Sequence, residues 1–106
     1  MLASELIYDW NQAALNLRPS GPVLLNDESL RDGLQSPSVR DPSIAEKIGI
    51  LHLMEDLGIN MLDLGLPGAG PRASEHVEAL AREIANSRLK IKPNCAARTH
   101  QNDIRP

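Results

Sequence analysis

The sequence predicts an α/β protein: about three βα units of the kind that build a TIM (β/α)8 barrel, preceded by a short helix. Three observations carry this reading. After residue 22, short apolar runs alternate with stretches of helical periodicity. The spacing favours parallel strands joined by right-handed crossovers. The loops that follow the strands are longer and richer in functional residue types than the turns that follow the helices, as at the catalytic face of a barrel. A complete barrel takes about 250 residues, and this chain has 106, so part of a barrel is expected, with a small open α/β sheet as the alternative. The expected division is a leader helix and linker over 1–22 and a partial barrel domain over 23–106.

The elements follow in order. Ser4 can cap a leader helix to Leu17, with Leu6, Ile7, Trp10, Ala14 and Leu17 on one face. Pro19, Gly21 and Pro22 then break it. Val23-Leu24-Leu25-Asn26 reads as a strand buried on both faces. Asp41-Pro42-Ser43 opens the next helix with a capping residue, a proline at its first position and a capping box from Ser43 to Glu46. That helix runs to Leu57 and ends on Gly58, leaving Glu55 and Asp56 on a solvated face. Ile59–Leu64 is the second strand, and 65–71 is a glycine-rich turn. Ala73–Asn86 is an amphipathic helix with Val77, Leu80, Ala81 and Ile84 inward. Leu89–Ala97 is the third strand, although Pro93 suits only a strand edge.

Composition narrows the function classes. Net charge is -3, with 11 Lys+Arg against 14 Asp+Glu, and the aromatics are Tyr8 and Trp10 alone. Neither a basic field nor a stacking platform is present, so no nucleic-acid partner is expected. No apolar run approaches the ~20 residues of a membrane span, and the N-terminus lacks the plan of a secretory signal. A cytoplasmic protein is expected. The single Cys95 cannot form an intrachain disulfide and reads as a small core side chain.

The chemistry concentrates after the first strand, in Asn26-Asp27-Glu28-Ser29-Leu30-Arg31-Asp32-Gly33-Leu34-Gln35-Ser36-Pro37. Arg31 and Asp32 stand side by side at the strand's C-terminal end, before a glycine that permits a sharp turn. Asp32 can offer oxygen to a hard divalent cation, and Arg31 can fork to a carboxylate or an enolate. A surface ion pair in an ordinary loop has the same spacing. Gly65, Gly68 and Gly70 match neither the dinucleotide fingerprint nor the P-loop, and read as turn residues. His52, His76 and His100 lack convergent partners and read as solvated or helix-surface side chains.

The run resembles the signature D-[ST]-[ST]-L-R-D-G-x-Q of the pyruvate carboxyltransferase (HMGL-like) family. That family includes 2-isopropylmalate, homocitrate and citramalate synthases and the hydroxymethylglutaryl-CoA lyases. Asp27, Ser29, Leu30, Arg31, Asp32, Gly33 and Gln35 match, and Glu28 replaces the usual hydroxyl residue. Gly58 to Pro67 is similar to the family's G-[VI]-x-x-[IL]-E-x-G-x-P, and Ala97-Arg98 resembles the end of its third strand. The similarity covers about Val23 to Asp103.

The resemblance implies a TIM barrel and a metal-assisted Claisen-type acyltransferase that condenses acetyl-CoA with a 2-keto-acid. By it, Asp32 ligates a divalent metal (Mg, Mn or Zn), Arg31 stabilises the enolate or carbonyl oxygen, and Gln35 positions the keto-acid. Asp63 stands where the family usually has glutamate and reaches one methylene less far. Arg98 either contacts substrate or pairs with Asp103. The family's H-x-H metal ligands are absent from this sequence, so the chain alone is expected to be inactive, a non-catalytic fragment. Ser29-Leu30 favours the synthases, closest to the 2-isopropylmalate and homocitrate type; Leu34 also fits the lyases, which are the alternative. A homodimer is implied for the full-length protein.

Overall fold

The computed structural model describes residues 5–10 and 20–105. The leader helix expected over Ser4–Leu17 falls mostly outside them. Three strands, β1 (Asn26–Asp27), β2 (Met61–Asp63) and β3 (Lys92–Asn94), alternate with helices α1 (Ile44–Leu57), α2 (Pro71–Asn86) and the short α3 (Gln101–Ile104). The strands form one parallel sheet in the order β1-β2-β3, with Asn26 opposite Met61, Leu62 opposite Pro93 and Asp63 opposite Asn94. Right-handed crossovers between sequential neighbours put both helices on the same face of the sheet. This is the winding of a partial (β/α) barrel. His52 Nε2 on α1 and Glu83 Oε1 on α2 lie 2.7 Å apart, tying the two crossovers together.

Local chemistry sets the ends of α1. Ser43 accepts from the Glu46 backbone N–H at 3.2 Å, and the Glu46 carboxylate accepts from the Ser43 N–H at 2.7 Å, so the expected capping box is present. Arg40 together with the Ser43 N–H pulls the Glu46 carboxyl down to about 2. Ser43 is itself the cap, so Pro42 precedes the helix and Asp41 is free for other partners. Gly58 closes the helix at φ 87°, in the left-handed region that favours glycine. Helix α2 starts two residues earlier than expected, with Pro71 in its first turn, and ends at Asn86 as the periodicity predicts.

The core lies between the helices and the sheet: Leu30, Leu51, Met54, Leu62, Leu64, Leu80, Ile84 and Ile91. On α2 the inward stripe is His76, Leu80 and Ile84, with Val77 half-buried; Ala81 faces solvent. The β1 run differs from expectation. Val23, Leu24 and Leu25 are exposed, because β1 pairs only with β2 among the described residues and nothing there covers its other side. Leu25 still docks through its backbone, its N–H donating to Asn60 Oδ1 at 2.8 Å and its carbonyl accepting from Met61 at 3.0 Å. Strand β3 is likewise an exposed edge, which accommodates Pro93 and leaves Cys95 in solvent rather than in the core.

Glu55 is not on a solvated face. Its carboxylate accepts from the Lys90 and Ile91 N–H groups at 2.8 and 2.9 Å, serving donors that enter β3 without a strand partner. These bonds hold its pKa below the usual carboxylate range, the Lys90 N–H contributing most. No helix among the described residues is long and apolar enough to cross a membrane.

Two substitutions separate the buried from the exposed apolar residues. Leu80→Ala, at a side chain with no solvent exposure, should cost about 2–5 kcal/mol in urea unfolding. Leu53→Ala, at an exposed position on α1, should stay within about 0.5 kcal/mol.

Candidate functional site

The loop after β1 folds back because its own polar groups close it. Asp27 Oδ1 accepts from the Ser29 N–H at 2.7 Å, and the Glu28 carbonyl accepts from the Arg31 and Gly33 N–H groups at 3.2 and 3.1 Å. Leu30 is buried and anchors the loop to the core. Arg31 is thereby directed to the end of β2, where its Nε donates to Asp63 Oδ2 at 3.1 Å. Asp63 is buried, and its other oxygen accepts from the Gly65 N–H at 3.0 Å. The Arg31 guanidinium also pairs with Glu28 through Nη2, and its Nη1 lies 3.4 Å from Asp32 Oδ1. Its hydrogen bonds to Asp63 and then to Glu28 raise the Arg31 pKa further. Glu28 in turn accepts from the Asn26 side chain at 3.1 Å.

Arg31 opens onto a cleft of about 330 Å³ between the loops that follow β1 and β2. Gln35, on the 3-10 turn Gly33–Gln35, stands exposed at its rim, with Leu30, Leu34, Leu64 and Leu66 forming apolar wall. Arg31, Asp32, Asp63 and Gln35 are thus brought together at the C-terminal ends of the strands. Arg98 is not among them. Its Nε and Nη2 reach Asp103 Oδ2 and Oδ1, each at 2.9 Å, and its backbone N–H donates to Oδ2 at 2.8 Å. These bonds pull the Asp103 carboxyl down to about 2. A Cβ on Gly68 would lie 2.0 Å from Asp103 Oδ1, so this glycine lets the last helix close on the β2–α2 loop.

Asp32 offers one outward carboxylate, with 70% of its side chain exposed. Among the described residues no three His, Cys, Asp or Glu side chains converge on a point that could hold a metal ion. The donor set fits one ligand of a metal site and not a whole site. His52 and His100 are surface side chains as expected, His100 capping α3 by accepting from the Asn102 N–H at 3.2 Å. His76 is the exception.

His76 is buried against the equally buried Lys47, with Nδ1 3.0 Å from Lys47 Nζ. Lys47 Nζ also lies 3.0 Å from Asp41 Oδ1, and Arg72 Nε lies 2.9 Å from Asp41 Oδ2. All four residues line the cleft. Burial, then the Lys47 and Arg72 charges, hold the His76 pKa below its ordinary value. Local patterns do not single these residues out, because 29 residues separate Lys47 from His76. Glu28 did carry a signal: it is the position that departs from the motif.

The HMGL-like family model matches residues 23–106. Among similar proteins are three 2-isopropylmalate synthases. That of Proteus mirabilis is 40% identical over 86 residues, 80% of this chain and 15% of the relative. That of Psychromonas ingrahamii is 39% identical over 70 residues, 66% of this chain and 13% of the relative. That of Vibrio vulnificus is 37% identical over 67 residues, 63% of this chain and 13% of the relative. The matched part of the chain therefore spans 15% or less of these relatives' length. No solved structure matches.

The depressed His76 pKa sets a pH dependence. As pH falls, the unfolded chain takes up this proton near the ordinary value of about 6.5, and the folded chain only at lower pH. The stability contributed by a neutral His76 is thus complete above that value and is lost progressively below it. Chemical denaturation between pH 7.5 and 5 should show this decline, and His76→Gln should flatten it.

Proposed function

The chain belongs to the HMGL-like family, and on that premise we propose that it supplies the first βα units of a 2-isopropylmalate synthase-like acyltransferase site, which condenses acetyl-CoA with a 2-keto-acid. The observation that carries this reading is the Arg31–Asp63 pair: it fixes a guanidinium at the strand ends, facing the cleft, with Asp32 exposed beside it. A fixed donor needs no reorganisation when negative charge develops on an oxygen. Arg31 therefore stabilises the enolate or carbonyl oxygen, and Gln35 at the rim orients the keto-acid. Asp63 acts through Arg31, as a positioning residue. Arg98, locked to Asp103, reaches substrate only by leaving that pair.

Asp32 supplies one oxygen ligand to a divalent metal (Mg, Mn or Zn), which when bound polarises the keto-acid carbonyl. One carboxylate does not hold such an ion tightly, so the chain by itself is proposed to be inactive, and the activity, like a homodimer, belongs to a longer protein. Glu28 is a particular feature of this chain. Where the family usually has a hydroxyl, it pairs with Arg31 and competes with any anionic substrate for the guanidinium. The Arg31-Asp32-Gly33-Leu34-Gln35 wording keeps a carbon–carbon lyase as the second reading.

A chimaera tests the assignment: residues 23–106 replace the matching segment of a 2-isopropylmalate synthase, and CoA release is followed across a panel of 2-keto-acids. A folded chimaera should turn over, and Arg31→Gln should lower kcat by about 10²–10³-fold, the usual effect of removing one oxyanion donor. Glu28→Ser should lower KM for the keto-acid. A folded chimaera that lacks synthase activity yet cleaves hydroxymethylglutaryl-CoA would establish the lyase reading; one inactive in both assays defeats the catalytic assignment.

A further inference from the structure

Two cations share one carboxylate on the side of the cleft between α1 and α2. Lys47 and Arg72 both pair with Asp41, and the remaining Arg72 contact, Nη2 to the Pro42 carbonyl at 3.4 Å, is to a neutral group. Asp41 is thus shared between the buried Lys47 and the mostly exposed Arg72, and no second carboxylate forms an ion pair with either cation. Two cations sharing one carboxylate keep hydrogen-bonding capacity for a second, incoming anion. The opposite holds around Arg31, where Glu28, Asp32 and Asp63 surround a single guanidinium. The cleft is therefore electrostatically two-ended, and its cation-rich side lies away from Arg31.

His76 adds a directional donor. An ammonium only donates, so His76 Nδ1 must accept from Lys47, and the neutral ring carries its proton on Nε2. Nε2 has no protein partner, yet no buried polar atom among the described residues is left unsatisfied, so Nε2 keeps access to solvent on a side chain that lines the cleft. Lys47 spends two ammonium protons on Asp41 and His76, and the third remains for a ligand.

We propose that this side of the cleft is a binding subsite for a small oxyanion, a carboxylate or a phosphoryl group, held by Lys47 and Arg72 and oriented by the Nε2–H of His76. The inference goes beyond the catalytic assignment and does not depend on it. The groups that set its pH response are Asp41 from the loop before α1, Lys47 from α1, and Arg72 and the exposed Glu75 from α2. Protonation of His76 adds a positive charge, so affinity rises as pH falls, and a bound anion raises the His76 pKa.

The test is NMR titration of the histidine ring resonances of the 106-residue chain with sodium acetate and with sodium sulfate, ionic strength held constant with chloride. The expected result is a saturable shift confined to His76, with an upward move of its pKa and with His52 and His100 unchanged. Arg72→Gln, at a mostly exposed side chain, should weaken the midpoint about tenfold through loss of a charge-assisted contact in a variant that circular dichroism shows folded. Arg40→Gln, outside the cleft, should leave it unchanged, and Lys47→Met should abolish the shift if circular dichroism shows the variant folded. Saturation at lower acetate than sulfate identifies a carboxylate ligand; the reverse order identifies a phosphoryl group. No saturable shift, equal shifts on all three histidines, or a midpoint indifferent to Arg72→Gln would overturn the proposal.

Discussion

The buried carboxylate of Asp63 is the constraint around which the loops at the C-terminal ends of the strands are arranged. It sits at the end of the central strand with 4% of its side chain exposed, where an unpaired charge is strongly unfavourable. Two donors answer it: the Gly65 N–H from its own loop and the Arg31 guanidinium from the loop after β1. The second bond joins segments 32 residues apart and fixes how the first loop lies over the sheet. Leu30 sinks into the core on one side of Arg31 while Asp32 is turned to solvent on the other. A shorter carboxylate than the family's usual glutamate thus still has a defined task, that of holding the arginine.

The polar side of the sheet follows from its winding. With both crossover helices on one face, Leu62 and Leu64 turn toward them, and Asp63 turns to the other side with Asn26 and Asn94. The two asparagines hydrogen-bond to each other at 2.9 Å across the top of β2. The apolar core on one face and the Asp63, Asn26 and Asn94 side chains on the other are two aspects of a single alternation. The exposed Val23–Leu25 run and the exposed β3 belong to the same geometry, since each edge strand has one neighbour among the described residues.

The cleft also joins two electrostatic regimes. Around Arg31 the carboxylates outnumber the cation, and the single outward Asp32 suits a positive ion. Around Asp41 the cations outnumber the carboxylate, and the neutral His76 is kept neutral by their field and by burial. The Asp41 cluster joins the start of α1 to the first turns of α2, so a displacement of α2 relative to α1 would open it. The His52–Glu83 contact, the Arg72–Asp41 pair and the Glu55 bonds to the start of β3 oppose such a displacement.

Features that depend on neighbours a few residues apart are legible along the chain. Helical period, the Ser43–Glu46 box, the Gly58 stop, the alternation of strand and helix, and the Arg31-Asp32 motif are all local signals, and each stands where the sequence puts it. Features that depend on distant partners emerge only with the folded core. The periodicity of α2 marks Ala81 as inward, but the helix turns His76 inward instead because Lys47 meets it from α1. Glu55 reads as solvated until β3 brings two unpaired N–H groups to it. Val23–Leu25 has the composition of a buried strand and is exposed, and Cys95 reads as core and is exposed, since burial belongs to the surroundings and not to the segment. Bonds that close a turn or cap a helix are fixed by the chain's own connectivity, whereas the pairing of charges 29 or 32 residues apart exists only once the core has brought them together.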